Sequence, residues 1–94
     1  MKIEELIWLD AVVDKLAVKH HVEVEEVEAV FSNTPQFRFV EKGKRADEDV
    51  YMASGQTDAG RYLTVLFIYK ANRDALILSA RDMAKWERKR YGRK

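Results

Sequence analysis

The sequence predicts a small α+β protein with elements in the order α-α-β-β-β-β-α, forming a mainly antiparallel four-stranded sheet packed by helices. Three observations predict it. Apolar residues recur at helical spacing as far as Phe31 and then alternate from Gln36 onward. The run from Arg61 to Tyr69 is apolar on both faces over much of its length, as in a central strand covered on both sides. The chain has 94 residues, which is one domain spanning residues 1–94 with no room for a second.

The elements follow in order. After the apolar lead-in Leu6-Ile7-Trp8-Leu9, Asp10 can cap a helix in which Val12, Val13 and Leu16 recur up to Lys19. Glu23 starts a second helix, with Val24, Val27, Val30 and Phe31 on one face and Glu25, Glu26 and Glu28 toward water, ending near Ser32-Asn33-Thr34-Pro35. A strand from Gln36 puts Phe37 and Phe39 on one side and Arg38 on the other, and the polar loop Glu41 to Asp49 follows. Asp49 to Thr57 and Arg61 to Lys70 read as a hairpin about Asp58-Ala59-Gly60, where Gly60 can take the positive φ of a corner. Asn72-Arg73-Asp74 turns the chain into Ala75 to Ala80, a strand beside it. Asp82 can cap a last helix carrying Met83, Trp86 and Arg90 on one stripe, before Gly92 releases the tail. Trp8 and Trp86 are expected in the core, because a chain this short needs its large aromatics there.

Composition excludes several classes. Apolar residues make up 47% and charged residues 35%, enough to bury for a core and too regularly patterned for disorder. No cysteine is present, which removes disulfides, thiolate metal sites, iron–sulfur clusters and cysteine nucleophiles and fits a reducing, cytoplasmic setting. No run approaches the roughly 18 apolar residues of a membrane span, and Met1-Lys2-Ile3-Glu4-Glu5 is acidic where a secretory signal is basic. No membrane association is expected. The net charge of +1 hides a polarity: Met1 to Phe31 is −5, Ser32 to Ala80 is +1 and Arg81 to Lys94 is +5. A basic end of this kind suits an anionic partner such as nucleic acid, or else is a solvated helix with a basic tail.

The candidate chemistry is sparse. Gly55 to Gly60 has the spacing of a phosphate loop, but Arg61-Tyr62 and a strand follow where Lys-Ser/Thr and a helix are required, so nucleotide binding is discarded. His20 and His21 are adjacent without a metal-ligand spacing, and no metal or other cofactor is expected. Histidine is the side-chain type suited to proton transfer near neutral pH, so His20 is either an acid–base group or a helix C-terminal residue favoured by the helix dipole. Arg61 and Arg81 bracket the central strands; on one face of the sheet they would hold a phosphodiester between them, or each pairs with a local acid, Asp58 or Asp82. Glu87 and Tyr91 are i, i+4 neighbours on the last helix, flanked by Arg88 and Arg90. A carboxylate, a phenol and guanidiniums are the parts of a phosphoryl-transfer site, and equally of an ordinary surface helix.

The chain also resembles a known family. Trp8-Leu9-Asp10, Lys15, Lys19-His20-His21-Val22 and the Glu-Val-Glu-Glu-Val helix ending in Phe31 are similar to the W-D…K…K-H-G-V…E-E-V…F opening of the BrnT family. Gly55 to Leu63, Ser79-Ala80-Arg81-Asp82-Met83 and Glu87 to Tyr91 resemble its G-x-T…G-R-x-L…S-A-R…E-R-x-x-Y run. The resemblance implies a RelE-like toxin of a type II toxin–antitoxin system: a metal-independent endoribonuclease that uses the RNA 2′-hydroxyl as nucleophile and inhibits translation. It also implies a BrnA-like, DNA-binding antitoxin in a hetero-oligomer, with operator DNA reached only through that partner. On this view Arg61 and Arg81 hold phosphate, His20 or Glu87 is the base, Tyr91 or His20 is the acid, and Lys19, Arg88 and Arg90 bind RNA. A catalytically degenerate interaction module and a plain nucleic-acid-binding domain are the other readings. The family's glycine after Lys-His is His21 here, where a left-handed turn would strain the histidine.

Overall fold

The structure is a computed structural model that describes residues 1–92; Arg93 and Lys94, the end of the basic tail, lie outside the described residues. Strand β1 (Leu6–Ile7) leads into helix α1 (Asp10–Lys15), which continues as a π-helical turn over Leu16–His20, and helix α2 (Val24–Ser32) follows. Strands β2 (Gln36–Glu41), β3 (Val50–Gln56), β4 (Tyr62–Tyr69) and β5 (Ala75–Asp82) then precede helix α3 (Lys85–Tyr91). The sheet has five strands in the order β1-β5-β4-β3-β2. β2 to β5 pair antiparallel, as the alternation predicts, with β4 central.

The fifth strand corrects the expected count and element order. Leu6 and Ile7 lie parallel to Ala75 and Leu76, so the sheet is mixed and begins with the segment read as a lead-in. Two residues are too few to show a period of two, and the pairing exists only because β5 offers a free edge.

Alternation assigns the two faces of the sheet. Leu63, Val65 and Phe67 of β4 and Ala75, Ile77 and Ala80 of β5 point into the core, where Leu16, Val22, Val27 and Val30 from the N-terminal helices cover them. Phe67 sits at the centre, with the rings of Phe31 and Phe37 edge-on at 5.4 and 6.0 Å and that of Tyr51 stacked at 6.1 Å. Gly55 allows the close approach where α2 ends over β3. A Cβ there would stand 3.2 Å from Val30 and 3.3 Å from Pro35. Gly60 takes the expected left-handed corner, with φ of 91°. Trp8 packs against the rim of the core, as anticipated.

The opposite face carries α3 at one end. This helix starts later than expected: Asp82 closes β5, buried Met83 bridges, and Ala84 is the N-cap. Asp10 likewise lies inside α1, whose N-cap is Leu9. On α3 the i, i+4 pair Glu87 and Tyr91 faces the sheet and is buried. Trp86 is therefore turned outward and is 57% exposed, against the core placement expected for it.

Candidate active site

Two arginine-centred clusters flank the end of β5. Thr64 pairs with Arg81, while Arg61 lies three residues before Thr64, so the alternation directs the two arginines to opposite faces of the sheet. They do not converge on one anion. That part of the expectation is corrected by strand parity.

On the α1/α2 face, Arg61 ties together three chain segments. Its Nε–H donates to Asp82 Oδ1 at 2.7 Å and Nη2 to Asp82 Oδ2 at 3.3 Å; Nη1 reaches Glu26 Oε1 at 3.1 Å. The His21 and His20 carbonyls accept from Nη1 and Nη2 at 2.7 and 3.2 Å. These contacts engage all five N–H groups of the guanidinium. Arg61 with Asp82 thus takes the surface-pairing alternative, and Glu26 joins them. Arg61 holds the Asp82 carboxyl below its ordinary range, against the burial that would raise it, and the nearby charge of His20 acts in the same direction. One cation among two carboxylates leaves this cluster no excess positive charge for a phosphate.

The two histidine carbonyls are available because the π-helical turn widens the last turn of α1 and His21 ends it in the left-handed conformation, φ 53° and ψ 41°. The left-handed turn is present as anticipated, with histidine in it. Lys19 is exposed on the same turn and His20 is partly buried beside Asp82.

On the α3 face, Arg81 forks onto Glu87, with Nη1 to Oε1 at 2.5 Å and Nη2 to Oε2 at 3.0 Å, and also donates to the Asp82 carbonyl at 3.1 Å. The Ala84 N–H completes the cradle at 2.7 Å. Glu87 is 5% exposed. Burial alone would raise its pKa, yet the Arg81 hydrogen bonds, the Ala84 N–H and the Arg81 charge together hold it below the ordinary value. Arg81 is held charged chiefly by the same hydrogen bonds. Its side chain is 43% exposed, and among the described residues Nε–H and one Nη2–H have no acceptor. These two donors are what the site presents to an anion.

Tyr91 packs edge-on to Tyr62 at 6.0 Å, and Arg88 lies over the Tyr62 ring at 4.2 Å. An open cleft of about 920 Å³ runs beside them, lined by Gln56, Tyr62, Lys85, Trp86, Arg88 and Lys89 among others. Arg90 and Arg38 line a smaller groove on the other side of Trp86. Among the described residues no three His, Cys, Asp or Glu side chains gather as a metal-ligand set, and no helix is long and apolar enough to cross a membrane. Of the residues named from sequence, Arg81, Glu87, Tyr91, Arg88 and Arg90 share the α3 face, while His20, Lys19 and Arg61 lie on the other. Sequence reasoning missed Glu26, which gives no local signal; of its two readings of Asp82, helix cap and ion-pair partner, the structure shows the ion pair.

The fold and this face define a class: a small α+β protein with a buried carboxylate positioning an arginine in a cationic surface. A family model described as the ribonuclease toxin BrnT of type II toxin–antitoxin systems matches residues 8–87, and the chain belongs to that family. Among solved structures, the crystal structure of the Brucella abortus ribonuclease toxin BrnT is similar at a TM-score of 0.59 and 18% identity, covering 86% of this chain and 97% of that one. No curated protein matches the chain.

Proposed function

We propose that this chain is a metal-independent endoribonuclease that cleaves RNA through the 2′-hydroxyl, inhibits translation in the cytoplasm, and is neutralised by a BrnA-like, DNA-binding antitoxin in a hetero-oligomer. Family membership supports ribonuclease toxin activity in general, and Arg81 carries the assignment of the site. It offers two uncommitted N–H donors from a side chain held in place by a buried carboxylate. Such a preorganised cation stabilises the charge that builds on a phosphate during transesterification.

The remaining roles follow from where each group lies and how it is held. Glu87, ionised and forked onto Arg81, is a weak base and acts as a positioning residue. Arg61, with every donor engaged, positions the turn that carries His20. Tyr91, on the same face as Arg81, is the acid of this site, and the His20 imidazole, across the sheet from Arg81, serves as base or acid where the RNA strand reaches round the end of β5 to its turn. Arg88 and Arg90 bind flanking phosphates on the α3 face, and Lys19 those that reach the His20 turn.

Expression of the chain alone in a bacterial host tests this, followed by growth and the integrity of total RNA. Arg81→Ala alone would strand the buried Glu87 carboxylate, so the informative variant is Arg81→Ala/Glu87→Gln, with the fold checked by circular dichroism. Growth arrest with RNA cleavage, lost in the folded double variant, is expected. Normal growth with soluble wild-type protein overturns the nuclease and favours a degenerate interaction module.

A further inference from the structure

The surface of α3 places an indole where a core residue was expected. Trp86 is 57% exposed, although Trp8 and every other aromatic of the molecule except Phe39 are at least partly buried. Exposing so large an apolar side chain costs stability, and the helix turns it outward because Glu87 and Tyr91 occupy the inward face. The flanking residues are cations: Lys85, Arg88, Lys89 and Arg90. The acid of this helix, Glu87, is consumed by Arg81, and among the described residues no carboxylate pairs with the four cations. Trp86 also lines both the large cleft and the small groove that contains Arg38 and Arg90.

We infer that Trp86 is a base-stacking platform that seats an unpaired nucleotide of single-stranded RNA on α3, beside the phosphate held by Arg81. The inference rests on the ribonuclease reading and adds to it a nucleotide-positioning residue. A flat, accessible π-face between two grooves lets a strand cross the helix with its backbone on the cations. Arg88 is already held over Tyr62, so little ordering remains for that cation when the strand arrives. Base–aromatic stacking is tolerant of sequence, so this contact sets the register of the strand more than the identity of the base. The ribonuclease family to which the chain belongs, together with the two grooves for a strand on either side of the indole, favours RNA over an acidic protein as occupant.

The test uses the full chain and a 2′-O-methyl single-stranded RNA octamer, which lacks the attacking hydroxyl and is not cleaved. Binding is expected to quench tryptophan fluorescence. Trp86→Leu should weaken affinity by about 5- to 150-fold while Trp86→Phe keeps most of it. A 2′-O-methyl duplex of the same length, with its bases stacked inside, should bind without comparable quenching. Trp86 is exposed, so both variants should melt close to wild type. Equal affinity of Trp86→Leu and wild type for the octamer overturns the platform while leaving the nuclease intact. Wild-type protein that neither binds the octamer nor cleaves cellular RNA overturns both.

Discussion

At the scale of single residues, His21 and Arg61 belong to one device. A left-handed conformation costs a non-glycine residue roughly 1–2 kcal/mol, and His21 adopts it with φ of 53°. Its carbonyl and that of His20 are fastened by Arg61, which also spans Glu26 and Asp82. Relieving the strain should stabilise: His21→Gly is expected to gain about 0.5–1 kcal/mol once glycine's greater unfolded-state freedom is deducted, raising Tm by several degrees in a scanning experiment. Arg61 is the converse case. Arg61→Lys keeps the charge but cannot present a planar fork to five acceptors, so a loss of about 2 kcal/mol or more is expected in chemical denaturation. A lysine variant as stable as wild type would show that charge alone suffices. The Asp82 pairing and the left-handed turn at His21 were legible in the sequence as alternatives, but the joining of Arg61 to Glu26 and to the two histidine carbonyls was not. Glu26 lies 35 residues from Arg61, and the exposed acidic face of an amphipathic helix hides which acid turns inward.

At the scale of elements, patterning succeeded where segments were long enough to show a period. β2 to β5, the hairpin at Gly60 and helix α2 stand close to where the apolar spacing puts them. It failed where tertiary context decides. β1 has two residues, and the start of α3 is set by Ala84 donating to Glu87 and not by the side chain of Asp82. The candidate site shows the sharper lesson: a separation of three residues between Arg61 and the partner of Arg81 reverses the face, so a pair expected to meet is divided by the sheet. The docking of α3 makes its own prediction. Glu87 has an ordinary pKa of 4.5 and a lower one when folded, so its ion pair contributes fully above 4.5 and is lost as pH falls through the folded value. Wild type should therefore lose Tm steeply below about pH 4.5. Glu87→Gln should be less stable at pH 7 but flatter in acid, so that the two curves converge. Parallel curves in thermal melts from pH 7 to 3 would show that the pair contributes little. Asp82 shifts in the same sense, but at 66% side-chain exposure solvent screens its share.

At the scale of the whole molecule, the charge asymmetry read from the sequence becomes a geometrical one. The acidic N-terminal third folds onto one face of the sheet, and the cationic helix α3 covers the end of the other. Sequence polarity thus located the cationic surface of the folded molecule, while Arg61 is neutralised by Asp82 and Glu26 on the other face. A polyanion lying on α3 releases counterions for each phosphate it pairs, and for single strands the slope of log K against log salt is about −0.7 per phosphate. Lys85 and Lys89 are on this helix, have no ion pair among the described residues, and are not placed at the reacting phosphate. Lys85→Ala/Lys89→Ala should make that slope shallower by as much as about 1.4, measured with the non-cleavable octamer between about 50 and 300 mM salt. The fold should be untouched, because neither side chain supports the sheet. Lys2→Ala, on the opposite, acidic side and paired with Glu4 at 3.4 Å, should leave the slope where it was. If instead the slope is indifferent to the α3 lysines and responds to Lys19, the strand runs over the His20 turn, and the phosphate must be carried on that face of the sheet without help from Arg81.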